Sequence, residues 1–409
     1  MTLVASSEGL RLRIHADTLA DGALWLGVFL SGFVIVEPAP YELMMAGLIA
    51  LWVPIAFRLS RTVALLAAFL LVFMIGGLLS LTMVTDLSIG PMYMAVSGFL
   101  ALTAIFYAGV IEARAARIAL IFRAWSISAV ITALLGIFGY FHLLPNGEIF
   151  TLYDRAKGAF QDPNVFAPFL VPPSLHLLHG ALKGRLADLP LRAAGLLILG
   201  LAVFLSFSRA GWGLYVFAVA MLVLVMLTHE RSGAFRLRML MVVLAGAFAM
   251  VLALSLALQI PRVANLFSSR SQLVQEYDGG HLGRFERHRI GFRMMLEKPL
   301  GIGPLEFSKI FPEDEHNIWL KCLTTYGWLG FAAYLSLTIT TLSVGFKLLL
   351  YDRPWQSFLT VAWISLLGHI MIATVIDIDH WRHVYLLFGI LWGCFALEIR
   401  WRRVSHAPV

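Results

Sequence analysis

Long apolar runs separated by short polar breaks make up most of the chain. The runs lie at 22–36, 40–57, 62–84, 89–110, 120–142, 164–182, 193–207, 211–228, 239–259, 328–349, 356–376 and 382–399. As helices, all but the two shortest (22–36 and 193–207) approach or exceed the length that crosses about 30 Å of hydrocarbon. None shows the alternating, roughly ten-residue pattern of an outer-membrane strand. The pattern predicts an all-α polytopic membrane protein with about twelve transmembrane helices. One hydrophilic stretch, 260–321, separates the ninth run from the tenth, and parts of it read as amphipathic helices. The expected organisation is a cytoplasmic N-terminus (1–21), nine spans (22–259), a periplasmic loop (260–321), three spans (322–399) and a cytoplasmic tail (400–409). No internal repeat or low-complexity linker interrupts it.

Composition agrees with that solvent. Hydrophobic residues make up 60% of the 409 and charged residues 13%, too little charge to cover a soluble domain of this length. Mean hydropathy is +0.83. Cys322 and Cys394 are the only cysteines, which excludes a disulfide framework and a thiolate metal site. The polar start carries Arg11 and Arg13 and lacks a small-residue cleavage site, so the first helix is expected to be retained. The net charge of +7 is dispersed among apolar segments, which argues against a nucleic-acid partner.

Charge placement sets the orientation. With the N-terminus inside, the cytoplasmic segments hold Arg11 and Arg13; Arg58 and Arg61; Arg114 and Arg117; Lys183, Arg185 and Arg192; Arg231, Arg236 and Arg238; Lys347 and Arg353; and Arg400, Arg402 and Arg403. The first two outer loops hold no basic residue. The exceptions on the outer side are Arg155, Lys157, Arg209, Arg382 and a loop group. That group is Arg262, Arg270, Arg284, Arg287, Arg289, Arg293, Lys298, Lys309 and Lys321. A long loop carries charge simply to stay solvated. Arg209 is different, because it sits in a tight turn between two apolar helices, where a phosphate ligand explains it better.

Several short segments could carry chemistry. In RAKGAFQDPNVFAPFL (155–170), Asp162-Pro163-Asn164 reads as a turn and helix start, with Asn164 a candidate N-cap. In SFSRAGWGLYVF (206–217), Ser206, Ser208 and Arg209 break the apolar pattern. In GRFERHRIGFRMML (283–296), helical spacing puts Arg284, Arg287, His288 and Gly291 on one face. Phe285, Phe292 and Leu296 form a second, apolar stripe suited to a membrane mouth. His316 follows Glu313, Asp314 and Glu315 where the long loop re-enters the membrane. An imidazole there can take a proton from a sugar hydroxyl near neutral pH, although a single histidine at a helix start is commonly a cap. Asp377, Asp379, His380, Arg382 and His383 crowd a further outer helix start. Their spacing is a weak metal signal, and ion pairing or substrate contact reads better.

In this order the segments resemble one family. SRAGW (208–212), GR (283–284), PLGIGPLEF (299–307) and HNxxLxxLxxxGWLG from His316 resemble the O-antigen ligase family, a superfamily that includes bacterial polysaccharide polymerases. The upstream RxKGxFxDPN from Arg155 agrees, and the resemblance covers about residues 155–340. It implies a GT-C-type glycosyltransferase bundle in the bacterial inner membrane, without cofactor or metal. It also implies an undecaprenyl-pyrophosphate-linked glycan as donor and lipid A-core, or another glycan, as acceptor. By motif, His316 corresponds to the histidine proposed as base, and Arg209 and Arg284 to arginines assigned to the pyrophosphate. Arg155, Arg287 and Arg382 are further substrate-binding candidates. Attack opposite the leaving group would invert the anomeric centre.

Ligation is the first reading, with O-antigen or exopolysaccharide polymerisation the alternative within the superfamily. A transporter or flippase would predict repeated halves and polar breaks at the midplane, whereas the polar residues here gather at one face. A peptidoglycan polymerase would use an outer-loop acid and a divalent metal, for which Glu276, Asp278 and Glu286 are available.

Overall fold

The structure, a computed structural model, describes residues 17–56, 59–272 and 283–405. Arg11, Arg13, Arg58, Glu276 and Asp278 lie outside the described residues. The helices in chain order are α1 (17–30), α2 (Pro40–Ala56), α3 (Arg61–Ser80), α4 (Gly90–Ala113), α5 (Arg117–Tyr140), α6 (Pro163–Lys183), α7 (Leu189–Leu205) and α8 (Arg209–His229). They continue with α9 (Gly233–Leu258), α10 (Pro261–Arg270), α11 (Arg284–Met295), α12 (Phe307–Ile310), α13 (Ile318–Leu348), α14 (Gln356–Ile372) and α15 (Arg382–Ser405). Among the described residues nine helices are long and apolar enough to cross a membrane, and Pro40–Trp52 and Gln356–Ile372 are shorter apolar helices. The chain is an all-α polytopic membrane protein.

Close helix approach holds the bundle together. α3 lays Val63, Leu66, Leu70 and Phe73 against α13 and its neighbours, a three-to-four-residue spacing that makes one buried stripe. At Gly76 a side chain would stand 2.4 Å from the Tyr326 carbonyl and 2.6 Å from the Gly330 nitrogen. Backbones therefore meet directly, where lipid tails supply no hydrophobic drive and packing must hold the helices. α4 and α15 pair in the same way, Gly389 lying on Ala104 and Gly393 on Ile111. α6 sits centrally, touching α5, α7, α8 and α14. α9 lies at the margin, with Met239 and Ala257 its buried residues.

Three local departures from the sequence expectation matter. The first helix ends at residue 30, not 36, because the following segment turns to pair Val34 N–H with the Ala159 carbonyl at 2.6 Å. A two-stranded hairpin pairs β1 (Thr151–Leu152) with β2 (Arg155–Ala156). Tyr153 and Asp154 both take positive φ at its turn, as such hairpins require. The tenth span was expected from 328, yet α13 starts at Ile318 and breaks at Gly327 (φ 65°). That break admits the 299–303 turn: Trp328 N–H bonds Pro299 O, and Ile302 and Gly303 N–H bond Thr324 O. The charge on Lys321 made the first turns look like loop. In the fold Lys321 is buried and bonded to Glu315 at 3.0 Å.

Candidate functional site

The start of α6, the start of α8, the end of α14 and the start of α15 lie at one end of the bundle. α10, α11 and the 311–317 segment cover that end. Between them is a cleft of about 630 Å3 lined by Arg155, Asn164, Arg209, Arg270, Arg284, His316 and Asp377, with Phe207, Phe285 and Trp381 as apolar walls. Four of the residues singled out from sequence, Arg155, Arg209, Arg284 and His316, thus meet in one place from four separate segments.

Each is positioned by its local backbone. The β-hairpin delivers Arg155, whose Nε donates to Ser206 O and whose Nη2 donates to Asn164 Oδ1, both at 2.7 Å. The N-cap of α6 is Asp162, which accepts from Asn164 N–H at 2.6 Å. This corrects the assignment of that cap to Asn164. Pro163 at the first helical position has no N–H, so the cap falls one residue earlier and the Asn164 side chain is left to hold Arg155. Ser208 caps α8 by accepting from Gly211 N–H at 3.2 Å, which sets Arg209 on the first turn. Arg209 Nη1 reaches Gln272 O at 3.4 Å.

α11 is clamped to the 311–317 segment by Arg287, bonded to Glu313 at 2.6 Å, and by His288, bonded to Glu315 O at 2.6 Å. Arg287 and His288 are buried and do not line the cleft, whereas Arg284, one turn earlier, does. Phe292 and Leu296 face outward, and Phe285 is exposed at the cleft wall. Arg382 also lies away from the cleft, paired with Glu37 at 2.8 Å and with Glu42. The loop cations divide similarly. Lys321 pairs with Glu315, Lys309 with Glu306 and Arg262 with Asp154, while Arg270 lines the cleft. Sequence reasoning had no means of choosing among them, because the choice depends on which acids lie nearby in space.

His316 adopts a left-handed backbone (φ 46°), unusual for a side chain of this size. Asp377 holds it there, accepting from His316 N–H at 3.2 Å and Asn317 N–H at 2.8 Å. Asn317 caps α13 and donates to Thr374 O. Asp377 was visible in the sequence only as one member of a crowded helix start. Its neighbours Asp379, His380 and His383 do not line the cleft. Asp379 is buried under Tyr93, at 2.5 Å, and Tyr326, and His380 meets Ser97 at 2.8 Å.

The electrostatics suit an anion beside a base. Arg155, Arg209, Arg270 and Arg284 face the cleft against the two carboxylates of Asp162 and Asp377. Burial, and then the Arg284 charge, holds the His316 imidazole below its ordinary pKa of 6.5, against the opposing pull of Glu313 and Asp314. The ring is therefore neutral at neutral pH and able to accept a proton. Burial pushes the Asp377 carboxyl above its usual range, with Lys321 opposing.

Residues 194–335 match a family model described as O-antigen ligase. The match takes in Arg209, Arg270, Arg284, Arg287 and His316, whereas Arg155, Asp377 and Arg382 lie outside it. No curated protein matches the chain.

Proposed function

We propose, from the match of residues 194–335 to the O-antigen ligase family model, that this chain transfers a glycan from a polyprenyl pyrophosphate to an acceptor hydroxyl. The donor would be undecaprenyl-linked and the acceptor lipid A-core, in a twelve-span GT-C-type bundle of the bacterial inner membrane. The cleft would open to the periplasm, and 260–321 would be its outer loop. The supporting observation is the convergence of four arginines on one histidine across the cleft.

Arg209, Arg284 and Arg155 would hold the pyrophosphate, with Arg270 beside them. Guanidinium forks match phosphate oxygens and stabilise charge as it develops on the leaving group. His316 would take the hydroxyl proton as the acceptor oxygen bonds to the anomeric carbon. The bond from that carbon to the phosphate oxygen then breaks, and the polyprenyl pyrophosphate departs with the electron pair. Attack from the opposite side inverts the centre. No metal or cofactor has a part in this reading.

A deletion strain analysed by lipopolysaccharide gel tests it. Free core together with accumulated polymer supports ligation. Core carrying a single repeat supports polymerisation of O-antigen by the same chemistry, and an unaltered gel with lost exopolysaccharide moves the acceptor elsewhere.

A further inference from the structure

Away from the arginine-lined cleft, a second cavity of about 650 Å3 lies among α6, α7, α8 and α9. Leu178, Leu196, Val219 and Val242 represent its apolar wall, and Arg238 and Tyr215 are its polar members. α9 forms one side yet is scarcely packed on the bundle. A side chain added at Gly246 would meet nothing within 4 Å, so the space there is open. From Arg238 to Met250 the groove follows α9 for about 18 Å, at 1.5 Å per residue. That is close to the roughly 15 Å of hydrocarbon in a single leaflet.

Cations mark the end of the groove far from the cleft. Arg238 Nη2 donates to the Ala181 and Gly184 carbonyls, each at 2.8 Å, at the close of α6. The Arg192 guanidinium lies against Gly180 and Gly184. Lys183 and Arg236 are at the same helix ends, while the nearby acids Asp188 and Glu230 are paired with Arg192 and Lys183. The charge left over at headgroup level is positive, above an apolar slot one leaflet deep.

We propose that this groove binds one acyl chain of an anionic phospholipid, in the leaflet opposite the arginine cleft, with the headgroup phosphate at Arg238. The groove's depth and the position of its cations favour a phospholipid over the donor's polyprenyl chain, whose phosphates belong at the other face. The bound chain would fill the space behind α9 and fix that helix against α7.

Native mass spectrometry of the full-length protein in mild detergent, with equal phosphatidylglycerol and phosphatidylethanolamine added, tests this. One phosphatidylglycerol should be retained, with a preference of about fivefold for each cation engaged. Arg238→Gln should bring the ratio towards one. Gly246→Phe places a ring in open space, so it should fold and lose the retained lipid while the particle size stays constant. The proposal is overturned by equal retention of the two lipids, or by retention that survives Gly246→Phe. It is also overturned if polyprenyl phosphate displaces the bound lipid, or if Gly246→Phe changes the oligomeric state, which would mean a second copy covers the groove.

Discussion

His316 combines an unfavourable backbone with a depressed pKa, and both have identifiable partners. A non-glycine residue in the left-handed region costs about 1–2 kcal/mol, which here is offset by two N–H bonds to the Asp377 carboxylate. Each such bond contributes about 0.5–1.5 kcal/mol, so Asp377→Ala should release the 316–317 turn and lower turnover more than Asp377→Asn, which keeps an acceptor. The ratio of the two turnover rates, at matched donor affinity, is the measurement; equal rates would remove Asp377 from the positioning of His316. His316→Ala should cost about 10²–10⁴-fold in turnover, the usual range for general-base help, with donor binding retained. Arg209→Ala should weaken both binding and turnover, and lysine should restore them only partly because it lacks the planar fork.

The pH profile follows from the same surroundings. Because the His316 pKa is lowered, the neutral imidazole proposed as base is present at neutral pH and is lost only as the pH falls through that lowered value. The acid limb of kcat/KM should therefore lie below pH 6.5. Arg284 contributes to the lowering, so Arg284→Gln should move the limb upwards as well as reduce the rate. An unshifted limb in that variant would mean that the titrating group is not His316.

Among the elements, α13 carries the largest structural demand. Its break at Gly327 lets the 299–303 turn dock, and a Cβ there would stand 2.9 Å from the Leu300 carbonyl carbon and the Pro299 oxygen at positive φ. Gly327→Ala should therefore lower the amount of folded protein in the membrane and reduce its thermal midpoint, as read by size-exclusion chromatography after heating. Normal accumulation and midpoint would show that the turn can move aside. α11 behaves differently: Arg287 and His288 clamp it, and Phe292 and Leu296 stay exposed away from the cleft, so polar substitution at those two should cost less than loss of the clamp. Charge and stripe were both legible in the sequence as helical spacing. The partner of each charge was not, because Glu313 is remote in sequence and meets Arg287 only through the fold.

At the scale of the molecule, orientation and ion dependence are the open measurements. A reporter fused within 270–280 should read as periplasmic and one at 232–235 as cytoplasmic, since the basic residues concentrate on the second side. A cytoplasmic reading of the loop would remove the cleft from the proposed donor. Transfer by purified protein should persist in excess chelator if arginines alone neutralise the pyrophosphate. Loss in chelator, restored by magnesium or manganese, would favour a metal-using polymerase.

Hydropathy alone determined that this chain is a helical membrane protein, because about 30 Å of hydrocarbon admits few other backbones. Spacing and motif order selected His316, Arg209 and Arg284, with Arg155, Arg287 and Arg382 after them, since ionisable groups beside apolar runs are costly enough to stand out. Tertiary structure decided which charges serve the cleft. Arg287 and Arg382 stood beside Arg155 as candidates along the chain, but each meets a carboxylate from another segment, and Lys321 is buried against Glu315. Asp377, Arg270 and the hairpin that delivers Arg155 were likewise decided by packing, for the same physical reason: pairing energy depends on distance in space, and sequence separation does not encode it.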